Sequence, residues 1–176
     1  VDGLSFSAYR GEIYGLLGPN GAGKTTTLRM LSTLIRPDSG DAFVCGHSVT
    51  REPEKVRDAI GFMTSELKLE NFFTPFAEVK VRDLSTGMLQ KVSLVVSIVH
   101  DPAVVIFDEP TNGLDVLTAK VVTDFLLELK AMGKSILLST HIFSLVEKLC
   151  DRVGIIIDGK MAADGKLADV CGEKSL

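Results

Sequence analysis

A glycine-rich segment with a single lysine, residues 18–26, carries the clearest chemical signal in this sequence. It satisfies every fixed position of the pattern G-x-x-x-x-G-K-[ST], in which the backbone N–H groups of a curled loop surround phosphate oxygens. The ammonium of Lys24 would reach the β- and γ-phosphates of a nucleotide, and the hydroxyl of Thr25 would ligate Mg²⁺. The segment therefore predicts a nucleotide-phosphate site made by Gly18, Pro19, Asn20, Gly21, Ala22, Gly23, Lys24, Thr25 and Thr26.

Two adjacent carboxylates, Asp108 and Glu109, follow the apolar run Val104-Val105-Ile106-Phe107. Nucleoside triphosphatases with a phosphate loop place an acidic ligand for Mg²⁺ at the end of a buried strand, and Asp108 fits that position. Glu109, one residue further on, would polarise a water molecule for in-line attack on the γ-phosphate. An isolated Asp-Glu pair is more often a solvated strand end, but the phosphate loop upstream favours the catalytic interpretation.

Further polar residues lie at the ends of other predicted elements. Ser85 and Gly87 stand at the start of a predicted helix. Ser85 alone would serve there as an N-cap, and the two residues together would form a second anion site. Asp115 follows the acidic pair closely, and His141 comes directly after the next predicted strand. A histidine at such a position is usually a surface residue, but beside the acidic strand it could reach the γ-phosphate.

Strands and helices must alternate to position these residues. Short apolar or alternating runs predict strands at 4–8, 13–17, 41–45, 60–63, 104–107, 135–139 and 153–157. Helical spacing and charge pattern predict helices at 25–34, 51–59, 85–99, 116–132 and 142–149. Such alternation favours an α/β core around a parallel sheet.

Composition restricts the class of protein. The 176 residues, 45% hydrophobic and 24% charged, suit one globular domain with a sizeable core. A net charge of −4 argues against the large basic surface that a nucleic-acid-binding protein needs, so no nucleic-acid partner is expected. The three cysteines are widely spaced, which is typical of reduced thiols in a cytosolic protein. No apolar run approaches the ~20 residues of a membrane span, so membrane attachment would require a partner.

In their order along the chain, the motifs resemble those of the ATP-binding cassette (ABC) ATPases. The matching segments are GPNGAGKTT at 18–26, LSTGM at 84–88, VVIFDEP at 104–110, NGLD at 112–115 and the Thr140-His141 pair. The LSTGM segment separates this family from other ATPases with a phosphate loop, and the guanine motif N-K-x-D is absent from the sequence. The resemblance implies an α/β fold: a P-loop NTPase core with a mainly parallel sheet flanked by helices, and an N-terminal antiparallel β part.

The resemblance also implies roles for individual residues. The active form would be a head-to-tail homodimer or a paired cassette, with each ATP between the phosphate loop of one subunit and Ser85 and Gly87 of the other. Glu109 would be the general base, His141 the sensor of the γ-phosphate, and Asp115 a contact across the dimer. ATP and Mg²⁺ would be the cofactors, with Thr25 and Asp108 as metal ligands.

The signature LSTGM differs from the usual LSGGQ of the family. This variation resembles the branch of bacterial exporters, including sodium-efflux and drug-export systems, whose permease is a separate protein. The resemblance therefore implies an ATPase subunit that powers export through a transmembrane permease. Such a subunit would lie in the cytoplasm, held by that permease at the inner face of the cell membrane.

The chain departs most from the family between the phosphate loop and the acidic strand. Ser65 stands where the family has a glutamine that contacts Mg²⁺. Only residues 66–84 then precede the signature serine, whereas the family places there a helical subdomain a few tens of residues longer. We therefore interpret residues 1–176 as one ATP-binding domain with a remnant of the helical subdomain at about 66–98. Residues would be missing near 75/76, and a true deletion would remove the surface that docks on the permease.

Two other interpretations remain open from the sequence. A non-transport ABC ATPase acting on DNA or ribosomes would tend to carry two cassettes, long coiled-coil insertions or basic patches, and this sequence shows none of them. An ATP-binding regulatory module with impaired hydrolysis is suggested by Ser65 and by the altered signature.

Overall fold

Strands and helices alternate along residues 1–64 and 96–172, the parts of the chain that the computed structural model describes. The strands are β1 Ile13–Leu17, β2 Phe43–Val44, β3 His47–Ser48, β4 Ile60–Thr64, β5 Val104–Asp108, β6 Ser135–Thr140, β7 Arg152–Ile157 and β8 Lys160–Lys166. The helices are α1 Lys24–Leu31, α2 Pro53–Ala59, α3 Val116–Ala131, α4 Phe143–Leu149 and α5 Leu167–Gly172.

Within the described residues, the main sheet has six strands in the order β4-β5-β6-β1-β7-β8. Neighbouring strands are parallel except β7 and β8, which form an antiparallel hairpin. Strand β6 lies between β1 and β5, with Thr140 opposite Leu17 and Ser139 opposite Asp108. The carboxyl ends of these three strands therefore meet at one edge of the sheet. This arrangement confirms the predicted α/β fold with a mainly parallel sheet.

The sheet is covered on both faces, which explains why its central strands are rich in apolar residues. Alternate side chains of a strand point to opposite faces, and those of β1 divide accordingly between two apolar clusters. Ile13 belongs to the cluster formed with α3 and α4, whereas Tyr14 and Leu16 belong to the cluster formed with α1 and α2. Helices on both faces hold the sheet rigid beneath its functional edge.

Most predicted elements are present with small changes at their ends. Helix α2 begins at Pro53, where the fixed φ of proline suits the first turn of a helix. Helix α1 stops at Leu31, three residues earlier than predicted, and Leu34 beyond it is 60% exposed. Part of the apolar spacing in that segment therefore belongs to a surface turn. Among residues 1–64 and 96–172, no helix is long and apolar enough to cross a lipid bilayer.

Some predictions are wrong in the described parts of the chain. Residues 4–8 are not a strand, although Leu4 and Phe6 pack against the apolar cluster of α1 and α2 and Phe6 stacks on Tyr14. The alternation at 4–8 thus reflects half-burial without strand pairing. Antiparallel pairing in the N-terminal half of the chain occurs instead between β2 and β3. The sequence also failed to predict β8 and α5. The signature residues Ser85 and Gly87, Ser65, most of the predicted helix 85–99 and the proposed gap near 75/76 lie outside the described residues.

Candidate nucleotide-phosphate site

The phosphate loop connects β1 to α1 at the carboxyl edge of the sheet. The N–H of Gly18 donates to the Thr140 carbonyl at 3.3 Å, which ties the loop to β6. A Cβ atom at Gly18 would lie 2.3 Å from the Ile156 carbonyl oxygen, so the approach of the loop to β7 requires glycine. Gly23 has a φ of 104° and immediately precedes the eight-residue helix α1. The loop therefore ends at a helix N-terminus, where N–H groups and the helix dipole favour an anion.

Lys24 is held inside the loop and is only 5% exposed. Its Nζ donates to the carbonyl oxygens of Gly18 at 2.7 Å and Pro19 at 3.1 Å, and it lies 3.4 Å from Oε1 of Glu109. The ammonium is thus fixed within reach of both the loop and the acidic strand. It borders a cleft of about 190 Å³ lined by Asn20, Gly21, Gly23, Lys24, Thr25, Thr26 and Glu109.

Thr25 and Asp108 bring two oxygen ligands together. The Thr25 hydroxyl donates to Oδ1 of Asp108 at 3.0 Å, and Asp108 at the end of β5 is 3% exposed. Hydroxyl and carboxylate oxygens are donors that Mg²⁺ prefers, so this pair fits the metal. Residues 1–64 and 96–172 contain no cluster of three or more His, Cys, Asp or Glu side chains able to hold a metal ion. A bound Mg²⁺ would therefore depend on nucleotide phosphates for further ligands, as is usual for this ion.

Glu109 lies in a backbone conformation that few non-glycine residues adopt. Its φ is 51°, in the left-handed region, and its N–H donates to the carbonyl and the hydroxyl of Ser139 at 3.2 and 3.1 Å. Its carboxylate is 14% exposed and lies 3.0 Å from Nδ1 of His141. Strained backbone of this kind persists only where neighbouring contacts hold it, and it is common at active sites. The turn places Glu109 between Lys24 and His141.

Strand β6 contributes more to the site than the sequence indicated. Ser139 is fully buried, and its hydroxyl donates to Oδ1 of Asp108 at 2.5 Å. Thr140, also fully buried, accepts the Gly18 N–H through its carbonyl and the Ile142 N–H through its hydroxyl. The signal for both residues was a pair of polar side chains closing an otherwise apolar strand before His141.

Asp115 caps the helix that leads away from the acidic strand. Its carboxylate accepts the N–H groups of Leu117 and Thr118, both at 3.0 Å, and the Thr118 hydroxyl at 2.6 Å. The hydroxyl bond, with the backbone bonds in support, holds the pKa of Asp115 below its ordinary value. Asp115 thus stabilises the start of α3, and its role as a contact across a dimer stays a prediction.

The structure brings most of the predicted site residues together. The loop 18–26, Asp108, Glu109 and His141 converge at one edge of the sheet through the contacts given above. Asp115 stands apart at the start of α3. The arrangement can bind phosphate, hold a hard cation and present a carboxylate base next to a histidine.

Family models match successive parts of the chain. A model described as ABC transporter matches residues 1–78. A model described as AAA domain, putative AbiEii toxin, Type IV TA system matches residues 61–147. The two matches together include the phosphate loop, the acidic strand and His141.

Curated relatives align with almost the whole chain. An uncharacterized ABC transporter ATP-binding protein of Methanocaldococcus jannaschii is 38% identical over 97% of this chain and 73% of its own length. The Nod factor export ATP-binding protein I of Ralstonia nicotianae is 37% identical over 94% of this chain and 62% of its own length. The chain therefore spans between about three fifths and three quarters of these relatives.

Solved structures share the fold. CbiO1 of Clostridium perfringens, described as part of the ABC transporter complex CbiONQ, matches with a TM-score of 0.78 and 25% identity, covering 98% of this chain and 84% of that one. An ATP-binding cassette solved as a dimer in a post-hydrolysis state with ADP and phosphate matches with a TM-score of 0.79 and 23% identity, covering 92% and 88%.

Proposed function

The chain belongs to the family of ABC transporter ATP-binding proteins, and on this premise we propose that it hydrolyses Mg²⁺-bound ATP to ADP and phosphate. The observation that carries the proposal is the meeting of an ammonium, a carboxylate and an imidazole side chain at the mouth of the phosphate loop. Glu109 lies 3.4 Å from the Lys24 ammonium and 3.0 Å from the His141 ring. A cation for the phosphates and a base for water are therefore side by side.

Nucleotide binding rests on the loop and on Lys24. Phosphate oxygens would accept the N–H groups of Asn20, Gly21 and Gly23 and of the first turn of α1. They would also compete with the Gly18 and Pro19 carbonyls for the ammonium of Lys24, because bonds between charged partners are stronger than bonds to neutral carbonyls. Thr25 and Asp108 would hold Mg²⁺, which supplies charge neutralisation on the phosphates when bound.

Hydrolysis rests on Glu109. Its carboxylate would accept a proton from the attacking water, a step that general-base catalysis typically accelerates by about 10²–10⁴. His141, in contact with both carboxylate oxygens at 3.0 and 3.1 Å, would keep Glu109 oriented and would face the γ-phosphate. The left-handed turn at Glu109 preorganises the carboxylate before the substrate arrives.

Transport requires partners beyond this chain. The names of two similar proteins support a role in transport, because one is described as a Nod factor export ATP-binding protein and the other as part of the ABC transporter complex CbiONQ. We propose that the chain powers export through a separate transmembrane permease at the cytoplasmic face of the membrane. The dimeric cassette among its structural neighbours supports a paired form. In a head-to-tail pair, Ser85 and Gly87 of one copy would close the phosphate site of the other, and Asp115 would contact the partner copy.

The alignments also support the proposed gap in the helical subdomain. They extend over 196 and 199 residues, more than the 176 residues of this chain, so the relatives carry residues within the matched region that are missing here. We place the missing residues near 75/76, in the remnant at about 66–98.

Phosphate release from ATP by the purified protein tests the proposed activity. Release is expected with Mg²⁺, and it should be abolished by EDTA and by Lys24→Ala, because both remove positive charge from the phosphates. Lys148→Ala is a matched control, since Lys148 is an exposed lysine on α4. Phosphate release that survives both EDTA and Lys24→Ala would contradict the proposal.

A further inference from the structure

Ser139 contacts both carboxylate residues of the site, although the mechanism above gives it no role. We propose that Ser139 is a positioning residue, which orients Asp108 for Mg²⁺ and fixes the backbone turn that presents Glu109. This inference rests on the proposed function and deepens it. Its basis is the set of hydrogen bonds around one buried hydroxyl.

The hydroxyl of Ser139 has a single hydrogen and two lone pairs. Ser139 lies directly opposite Asp108 in the register of β5 and β6, and its side chain is fully buried. The hydrogen is donated to Oδ1 of Asp108 at 2.5 Å, and one lone pair accepts the N–H of Glu109 at 3.1 Å. One side chain therefore connects the metal-binding carboxylate to the backbone of the base.

The bond to Asp108 restricts how its carboxylate can rotate. Oδ1 receives the hydroxyl of Thr25 at 3.0 Å in addition to that of Ser139, and Asp108 is 3% exposed. When Thr25 turns its oxygen to a metal ion, Ser139 still donates its hydroxyl hydrogen to Oδ1. Bonds from a hydroxyl to a carboxylate are short and strong, so this donor restricts the orientation of Asp108.

The bond to Glu109 supports a strained backbone. A residue other than glycine at a φ of 51° needs contacts that compensate for the strain. The N–H of Glu109 is shared between the hydroxyl and the carbonyl of Ser139, and substitution removes only the first of these acceptors. Loss of the hydroxyl should therefore allow the Asp108 carboxylate to rotate much more freely. It should weaken the support of the Glu109 backbone only in part, and the fold should be retained.

The test compares Ser139→Ala, Ser139→Thr and Ser48→Ala. Ser139→Thr keeps the hydroxyl. Ser48→Ala is a matched control, because Ser48 is also a buried serine that donates to a carboxylate, Asp41 at 2.7 Å, outside the site. The measured quantity is the ratio of the dissociation constant of a non-hydrolysable ATP analogue in EDTA to that in Mg²⁺. Steady-state phosphate release gives kcat and KM alongside it.

Ser139→Ala should bind the analogue in EDTA like the wild type. The ratio of its dissociation constant in EDTA to that in Mg²⁺, here called the Mg²⁺ enhancement, should fall by about tenfold or more, and so should its kcat. A decrease of this size is in keeping with the loss of a hydrogen bond to a charged group. Ser139→Thr should restore both quantities, and Ser48→Ala should leave both unchanged. If Ser139→Ala does not fold, Ser139→Cys fills the space with a weak donor and should show the same losses.

An unchanged Mg²⁺ enhancement in the alanine or cysteine variant, with normal binding by the wild type, would overturn the role of Ser139 alone. Loss of binding in EDTA as well would also overturn it, because that result indicates general damage to the loop. A wild-type protein that fails to bind the analogue under any condition would overturn the proposed function itself.

Discussion

Glu109→Gln separates the two contributions of this side chain, one to catalysis and one to nucleotide affinity. The substitution keeps the shape of the side chain and removes its charge and its ability to accept a proton from water. General-base catalysis is worth about 10²–10⁴ in rate, or about 3–5.5 kcal/mol of activation free energy. We therefore expect kcat for phosphate release to fall by about 10²–10⁴.

The same substitution should strengthen nucleotide binding. The carboxylate lies 3.4 Å from the Lys24 ammonium, where two unit charges attract by about 1 kcal/mol in water and about 5 kcal/mol at an effective dielectric constant of 20. Glu109 is 14% exposed, so the cost of removing both charges from water offsets most of the larger value and leaves about 1–2 kcal/mol. Phosphate must compete with this carboxylate for Lys24. Affinity for ADP should thus rise by about 5- to 30-fold.

The assay pairs steady-state phosphate release with a fluorescence titration of ADP. Glu147→Gln is the matched control, because Glu147 is an exposed glutamate on α4, and it should leave both quantities unchanged. A kcat within about tenfold of the wild type would refute the role of Glu109 as base. Weaker ADP binding by Glu109→Gln would refute the competition between Glu109 and phosphate for Lys24.

Three further predictions concern the loop, the helix cap and the thiols. Gly18→Ala should lower both the melting temperature and the affinity for ADP, because its Cβ would lie 2.3 Å from a backbone oxygen of β7. Wild-type values for both quantities would contradict the close contact between the loop and β7. Because hydrogen bonds lower the pKa of Asp115, its carboxylate stabilises the fold above the ordinary aspartate pKa, and this stability is lost as pH falls through the lowered value. Asp115→Ala should therefore melt below the wild type at neutral pH and approach it in acid, and a difference in melting temperature that is independent of pH would argue against the cap. Because burial raises the pKa of the Cys150 thiol to about 12, a thiol reagent should label exposed Cys45 in the native protein and Cys150 only after unfolding. Labelling of Cys150 in the native protein would contradict its burial.

The phosphate loop could be predicted because its information is local. A glycine pattern between an apolar strand and a helical segment specifies both the curl of the loop and the position of Lys24. The acidic strand was recognised in the same way, from an apolar run that ends in Asp108. Their proximity in space was inferred from the way nucleoside triphosphatases with a phosphate loop place an acidic ligand for Mg²⁺, and the Thr25–Asp108 bond agrees with it.

The contacts of Ser139 could not be predicted because they depend on register. Whether Ser139 or its neighbour lies opposite Asp108 is decided by the pairing of β5 with β6, and a shift of one residue would turn the side chain to the other face. Strand β8 was missed for a related reason. Its sequence, KMAADGK, is not that of a typical strand, and it forms because β7 provides an antiparallel partner. At residues 4–8 the error was the reverse, because a strand was predicted where none forms. The half-burial of Leu4 and Phe6 produces a strand-like alternation without a partner strand.

Competition binding with ATP, ADP and AMP tests the central claim most directly. If the loop at 18–26 and Lys24 hold the terminal phosphates, unlabelled ATP and ADP should displace a fluorescent ATP analogue in the presence of Mg²⁺, and AMP should not. Removal of Mg²⁺ should weaken the displacement by ATP. Equal displacement by AMP, or none by ATP, would contradict a site built around the phosphate loop.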